Sequence, residues 1–111
     1  ALNGTFFCNL YSPDDTSELN KNFVAEYKKM FKAEPDVFAA LSYDSTLAIA
    51  QSIENAKSAD PAKVAEAMAK IKDLQGVTGA TTFDDKHNPI KSAVIIEHVD
   101  GKQTFKTKIN P

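Results

Sequence analysis

The sequence predicts an α/β chain of one strand, three helices and a closing β-hairpin, and three observations predict it. An apolar, aromatic run from Gly4 to Leu10 is bounded by Gly4 on one side and by Ser12-Pro13-Asp14-Asp15 on the other. From Asp15 to Gly76 the apolar residues recur at helical spacing, interrupted at Pro35 and at Asp60-Pro61. Beyond Gly76 the period falls from about 3.6 residues to about 2, and Asp100-Gly101 separates two alternating runs.

The first run, Thr5-Phe6-Phe7-Cys8-Asn9-Leu10-Tyr11, reads as a buried strand in which Cys8 acts as a small hydrophobe. Asp15-Thr16-Ser17-Glu18 then offers a capping-box-like helix start, and Phe23, Val24, Tyr27, Met30 and Phe31 form a single apolar stripe. Lys21, Glu26, Lys28, Lys29 and Lys32 make the solvated face. Ala33-Glu34-Pro35-Asp36 ends this helix, because proline cannot continue it and disfavours the α region for the residue before. The second helix, Val37 to Ala56, carries apolar residues around nearly its whole circumference, from Phe38 and Leu41 to Ile49 and Ile53, which predicts burial on all sides. Asp60-Pro61 is an N-cap with proline at the first helical position. Val64, Ala67, Met68 and Ile71 make the inward face of the third helix, Glu66 and Lys70 pair outside, and Gly76 is expected to end it.

Val77 to Phe83 reads as a short strand, and Asp84-Asp85-Lys86-His87-Asn88-Pro89 as a polar turn. Ala93–Val99 and Lys102–Thr107 then flank the two-residue Asp100-Gly101 loop, which suits a type I′ turn. That turn pairs Val99 with Lys102, and so Ile96 with Phe105 and Val94 with Thr107 on a buried face. Glu97, Thr104 and Lys106 fall on the other face.

Composition narrows the function. Of 111 residues, 42% are apolar and 25% charged, the balance of a globular domain. No apolar run approaches the roughly 20 residues of a membrane span, and Ala1–Leu10 lacks the basic flank and apolar stretch of a signal peptide. The net charge is -2, from 13 basic and 15 acidic residues scattered along the chain, so no basic stripe exists for nucleic acid. Every basic residue is lysine, which leaves no planar fork for bidentate anion recognition.

Motifs for catalysis, cofactors or metals are absent. Cys8 is alone, so neither an intramolecular disulfide nor a zinc-ligand spacing can form. Ser12, Ser42 and Ser45 have no histidine nearby in sequence, His87 and His98 falling in a turn and a hairpin. Asp84-Asp85 lacks the spacing of a calcium loop, and Gly76-x-x-Gly79 opens no helix and cannot cradle phosphate. A small α/β enzyme, the reading of a different class, therefore finds no support, and no cofactor is expected.

The elements sit uneasily as a self-contained fold. A small domain buries only about 60–70% of the surface its unfolded chain exposes, and an all-round apolar helix needs more neighbours than two amphipathic helices supply. Either the chain self-associates or it belongs to a larger one.

The order of several short motifs explains this. Gly4-x-Phe6-Phe7 … Tyr11-Ser12-Pro13-Asp14-Asp15, Phe23-Val24-Ala25-Glu26-Tyr27-Lys28-Lys29-Met30-Phe31, Glu34-Pro35-Asp36 and Ala39-Ala40-Leu41-Ser42-Tyr43-Asp44 come first. Asp60-Pro61, Gly76-Val77-Thr78-Gly79, Phe83-Asp84 … Asn88-Pro89-Ile90-Lys91 and the hairpin follow. Together they resemble the C-terminal third of a type I extracellular solute-binding protein, in the branched-chain amino acid family of ABC transporters. His87 departs from the pattern, since relatives commonly have glycine in that turn, and histidine tolerates the left-handed backbone better than most residues.

The resemblance implies two α/β lobes that close on a small ligand, with chain crossings at a hinge. Residues 1–12 would be a strand and hinge crossover of the second lobe, residues 13–76 the helical part of the first, and residues 77–111 a crossover and hairpin returning to the second. It implies an amino-acid ligand, branched-chain by family, an ABC permease as partner, and a periplasmic or extracellular location, soluble or lipid-anchored, with Cys8 not the anchor. The same architecture also serves receptors and regulators as a sensing domain. In the resembling family the start of the second helix lines the cleft, which nominates Ala40, Tyr43 and Asp44, together with Tyr11 at the crossover. Tyr43 would offer its ring and hydroxyl, and Asp44 would orient neighbours or meet an ammonium. The alternatives are a Tyr43 packed in the core with its hydroxyl satisfied, an Asp44 bonded to nearby backbone or lying at the helix surface, and a surface hinge role for Tyr11.

Overall fold

The computed structural model describes all residues, 1–111. The chain runs β1 (Phe6–Asn9), α1 (Glu18–Phe31), α2 (Val37–Ala56), α3 (Pro61–Ala69), β2 (Leu74–Gly76), β3 (Gly79–Phe83), β4 (Pro89–Ile90), β5 (Ala93–Val99) and β6 (Lys102–Ile109). Two antiparallel sheets result, one in the order β1-β5-β6 and the other β2-β3-β4.

Local chemistry sets the helix ends. The Ser17 hydroxyl accepts from Asn20 N at the start of α1, the Asp36 carboxylate from Ala39 N at α2, and Asp60 from Lys63 N at α3, with Pro61 at the first helical position. α1 and α2 close on left-handed lysines, Lys32 at φ 55° and Lys57 at φ 49°. Glu66 and Lys70 pair at 2.9 Å as expected.

α3 does not reach Gly76. It ends at Ala69, and Leu74–Gly76 forms β2, which folds back on β3 through the two-residue turn Val77-Thr78. The stretch from Val77 to Phe83 is therefore a turn and a strand. His87 takes φ 65° in the following turn, so histidine does occupy the left-handed position.

The hairpin matches expectation up to Ile96, which faces Phe105, and Asp100 and Gly101 take φ 50° and 77°, as a type I′ turn requires. A bulge between Ile95 and Ile96 then shifts the register. Val94 consequently faces Lys108, and Ile95 faces Thr107. Val94 and Ile96 are buried.

Two burial expectations are corrected. Strand alternation points Phe6 and Cys8 to a face that no other element covers, so β1 is buried on one side only and Cys8 is exposed. In α2 a single seam is buried: Ala40, Asp44, Ala48 and Ser52, four residues apart. Much of the remaining apolar circumference, including Phe38 at 74% exposure and Ile49 at 48%, meets solvent, while Val37, Leu41 and Leu47 are partly covered. Periodicity reports the need for cover, and this chain supplies it on one side.

The molecule consists of two bodies. Strands pack on strands, and α2 packs on α3 and β2, but no helix packs broadly on the β1-β5-β6 sheet. The core of the helical body is Tyr11, Ala40 and Val77, with Phe23 and Val37 against them. Extents of 51 × 32 × 20 Å and a radius of gyration of 15.9 Å exceed the roughly 13 Å of a compact chain of this length.

Candidate functional site

The chain leaves β1 at Leu10 and crosses to the helical body through Tyr11–Thr16. Asn20, fully buried in the first turn of α1, holds this crossing in shape: its Nδ2 donates to the carbonyls of Ser12, Pro13 and Asp15 at 3.3, 3.0 and 2.9 Å. The Asp15 carboxylate accepts from Ser17 N at 2.9 Å and pairs with Lys108 of β6 at 2.5 Å. The chain returns at Lys91–Ser92, where Ser92 Oγ bonds Asn110 Oδ1 at 2.9 Å.

Beside the crossing lies an open cavity of about 720 Å³. Asn9 and Ile96 line it from the sheet, Tyr11 from the crossing, and Asp36, Val37 and Phe38 from the start of α2. Its size suits a small molecule, and it sits between the two bodies, where ligand sites commonly form. Of its carboxylates, Glu34 is paired with Lys28 at 2.8 Å and Asp36 caps α2.

Among the four residues nominated by sequence, the structure brings Tyr11 alone to the cavity wall. Tyr11 is 3% exposed rather than at the surface, packs edge-on against Phe23 at 6.3 Å, and its hydroxyl has no partner. Burial pushes its phenol pKa far up, reinforced by the charges of Glu34, Asp15, Asp14 and Asp44, so it stays neutral. Ala40 is fully buried beneath Tyr11 and Val77. Tyr43 is half exposed and leans on Phe23 with ring centres 4.9 Å apart.

Asp44 is buried and bonded to backbone. Its carboxylate accepts from Val77 N at 2.8 Å, from Thr78 N at 2.9 Å and from the Thr78 hydroxyl, clamping the β2–β3 turn onto α2. Gly76 makes room for it, since a Cβ there would lie 2.5 Å from the carboxylate. Half-buried Lys91 lies nearby. Burial lowers its pKa and the Asp44 charge opposes that shift.

Sequence reading passed over Phe38 as a cleft residue. It stands in the first turn of α2, off the Ala40–Asp44 seam, exposed and lining the cavity. Its signal was its place two residues after the Asp36 cap, in the turn where α2 opens.

A family profile described as periplasmic binding protein matches residues 1–103. The chain is 32% identical to the Leu/Ile/Val-binding protein homolog 1 of Brucella suis, covering 95% of this chain and 29% of that protein. The leucine binding protein LivK of Thermotoga maritima superposes with a TM-score of 0.85 at 33% identity, covering 99% of this chain and 32% of that one. LivJ of Streptococcus pneumoniae, solved in complex with isoleucine, does so with a TM-score of 0.83 at 32% identity over 96% of this chain and 30% of its own. This chain thus spans about three-tenths of the length of these relatives. A solute-binding protein of Rhodopseudomonas palustris holding benzoate shares the fold, with a TM-score of 0.82 at 23% identity. The strand, helices and closing hairpin expected from the sequence are all present in that shared fold, and the chain belongs to the periplasmic binding protein family.

Proposed function

We propose that this chain forms part of a two-lobed, non-catalytic binding protein that captures an amino acid, a branched-chain one, and delivers it to an ABC permease. The observation that carries the reading is the cavity at the crossing, walled by the sheet on one side and by the start of α2 on the other. The Leu/Ile/Val-binding and leucine-binding relatives support the ligand class. In this reading the β1-β5-β6 sheet belongs to one lobe, and the helices with β2–β4 to the other. Within this reading the second boundary is assigned to Lys91–Ser92 in place of Val77, an assignment supported by the bonds from Val77 N and Thr78 N to the Asp44 carboxylate of α2.

Ligand contacts made across the cleft stabilise the closed form, and the permease recognises that form. Much of the cavity stands open in this chain, and the groups that grip ligand charges would come from the rest of a longer protein. The 111-residue chain alone is accordingly expected to bind no amino acid, and its bare α2 face favours self-association. The family location is periplasmic or extracellular, with lipid anchoring as one form of it, and no helix here is long and apolar enough to cross a membrane.

The test is thermal unfolding of the longer protein containing this chain against twenty amino acids and simple amides. A ligand at about 100 times its dissociation constant stabilises by about 2.7 kcal/mol, a readily measured shift. Shifts confined to leucine, isoleucine and valine support the proposal. No shift with any amino acid overturns the ligand class and directs attention to aromatic acids or peptides.

A further inference from the structure

The two bodies are joined by two stretches of chain and by very few side-chain bonds. Tyr11–Thr16 and Lys91–Ser92 are the covalent crossings. Across them, side chains of the β6 end reach two groups: Lys108 takes the Asp15 carboxylate, and Asn110 takes the Ser92 hydroxyl. No helix packs broadly on the sheet to fix the angle between the bodies. The geometry points to the Asp15–Lys108 pair as a latch that sets this angle, holding the end of the sheet to the head of α1.

Three features distinguish this pair from the other ion pairs of the chain. It is the most enclosed, with side-chain exposures of 27% for Lys108 and 9% for Asp15, whereas each of the others has at least one partner more than half exposed. It is also the one pair that links the two bodies. Finally, Asp15 is itself fixed from both sides: Ser17 N holds its carboxylate, and Asn20, fully buried, holds its carbonyl. An ion pair seated on a rigid crossing acts as a stop, because movement of the sheet must stretch or break it before the backbone can turn. The pair also stands on a different group of residues from the cavity wall. Lys108 lines a second hollow, of about 440 Å³, with Ser17, Ser92 and Asn110, and this hollow shares no lining residue with the first. A substitution in the latch therefore changes both hollows through the angle without removing any residue that lines the proposed ligand cavity.

The inference rests on the two-lobed reading only for its bearing on ligand capture, and its test needs no ligand. Spin labels are placed on the single native thiol, Cys8 of β1, and on Lys63→Cys in α3, both exposed and in different bodies. Pulsed dipolar spectroscopy on doubly labelled chains diluted into an excess of unlabelled ones, which removes distances between copies, then reads the spread of distances within one chain. The unaltered latch gives a narrow distribution, Lys108→Met widens it roughly twofold with unchanged helical circular dichroism, and Lys108→Arg keeps it narrow. A width unaffected by Lys108→Met overturns the proposal, as does a wide distribution with the latch intact. Loss of helical signal in both Lys108→Met and Asp15→Asn also overturns it, by making the pair a requirement for folding rather than a stop. Failure of the amino-acid panel would leave all these results standing, so the two readings fail separately.

Discussion

Removing the Asp44 carboxylate tests the clamp between α2 and the β2–β3 turn. In Asp44→Ala the N–H groups of Val77 and Thr78 and the Thr78 hydroxyl lose their common acceptor, at residues only 2% and 3% exposed. A buried donor left unpaired costs about 1–3 kcal/mol, and three donors sharing one carboxylate give about 3–5 kcal/mol. Typical domains have about 5–15 kcal/mol in all, so the variant is severely weakened. Gly76→Ala attacks the same clamp from the other side, because the new methyl would sit 2.5 Å from the Asp44 carboxylate and drive it off its donors, at about 2–3 kcal/mol. The two effects must couple. With Asp44 already alanine the methyl at position 76 enters vacated space, and the second substitution costs about nothing, leaving the pair about 2 kcal/mol short of additive. Urea unfolding followed by far-ultraviolet circular dichroism at pH 7 measures all four corners of the cycle. An Asp44→Ala loss below about 1 kcal/mol, or additivity within about 0.5 kcal/mol, refutes the clamp and returns Asp44 to the candidates for ligand contact.

Two further outcomes are expected. Although burial pushes the Asp15 carboxyl up, the Lys108 ammonium and the Ser17 N–H outweigh it and hold its pKa below the ordinary aspartate range. A depressed folded pKa means stability that is present above about pH 4, the unfolded value, and is lost as pH falls through the folded one. Acid unfolding of Asp15→Asn should show a shallower loss over that window, and an unchanged acid limb would contradict the assignment. Phe38→Ala removes an exposed ring from the cavity wall. It should alter stability by no more than about 0.5 kcal/mol while weakening ligand binding by the longer protein about tenfold, which calorimetry would read.

Local chemistry carried most of the element plan. Asp36 after Pro35 marks the start of α2 and its end comes at Ala56, Asp60-Pro61 opens α3, and Asp100-Gly101 sets the hairpin register through Ile96, all readable within a few residues. What escaped depends on distance. β2 is three residues long, and it becomes a strand because Val77 and Thr78 are gripped by Asp44, more than thirty positions away. The bulge at Ile95–Ile96 leaves no mark in the alternation of residues around it. The pattern of α2 shows that many faces are apolar and says nothing of which will be covered, so the seam of Ala40, Asp44, Ala48 and Ser52 emerged only in three dimensions. For the same reason Asp44 was legible as unusual and Phe38 was not: a carboxylate in an apolar helix stands out, whereas an exposed phenylalanine among apolar neighbours does not.

The arrangement as two bodies has a hydrodynamic consequence. A chain with extents of 51 × 32 × 20 Å meets more friction than a sphere of equal mass, so it diffuses slowly and leaves a gel-filtration column early. A single copy could then pass for a pair. Stokes radius alone is therefore a poor guide to whether the bare face of α2 draws copies together, whereas scattered intensity, which weighs the particle irrespective of its outline, separates an elongated monomer from a true dimer.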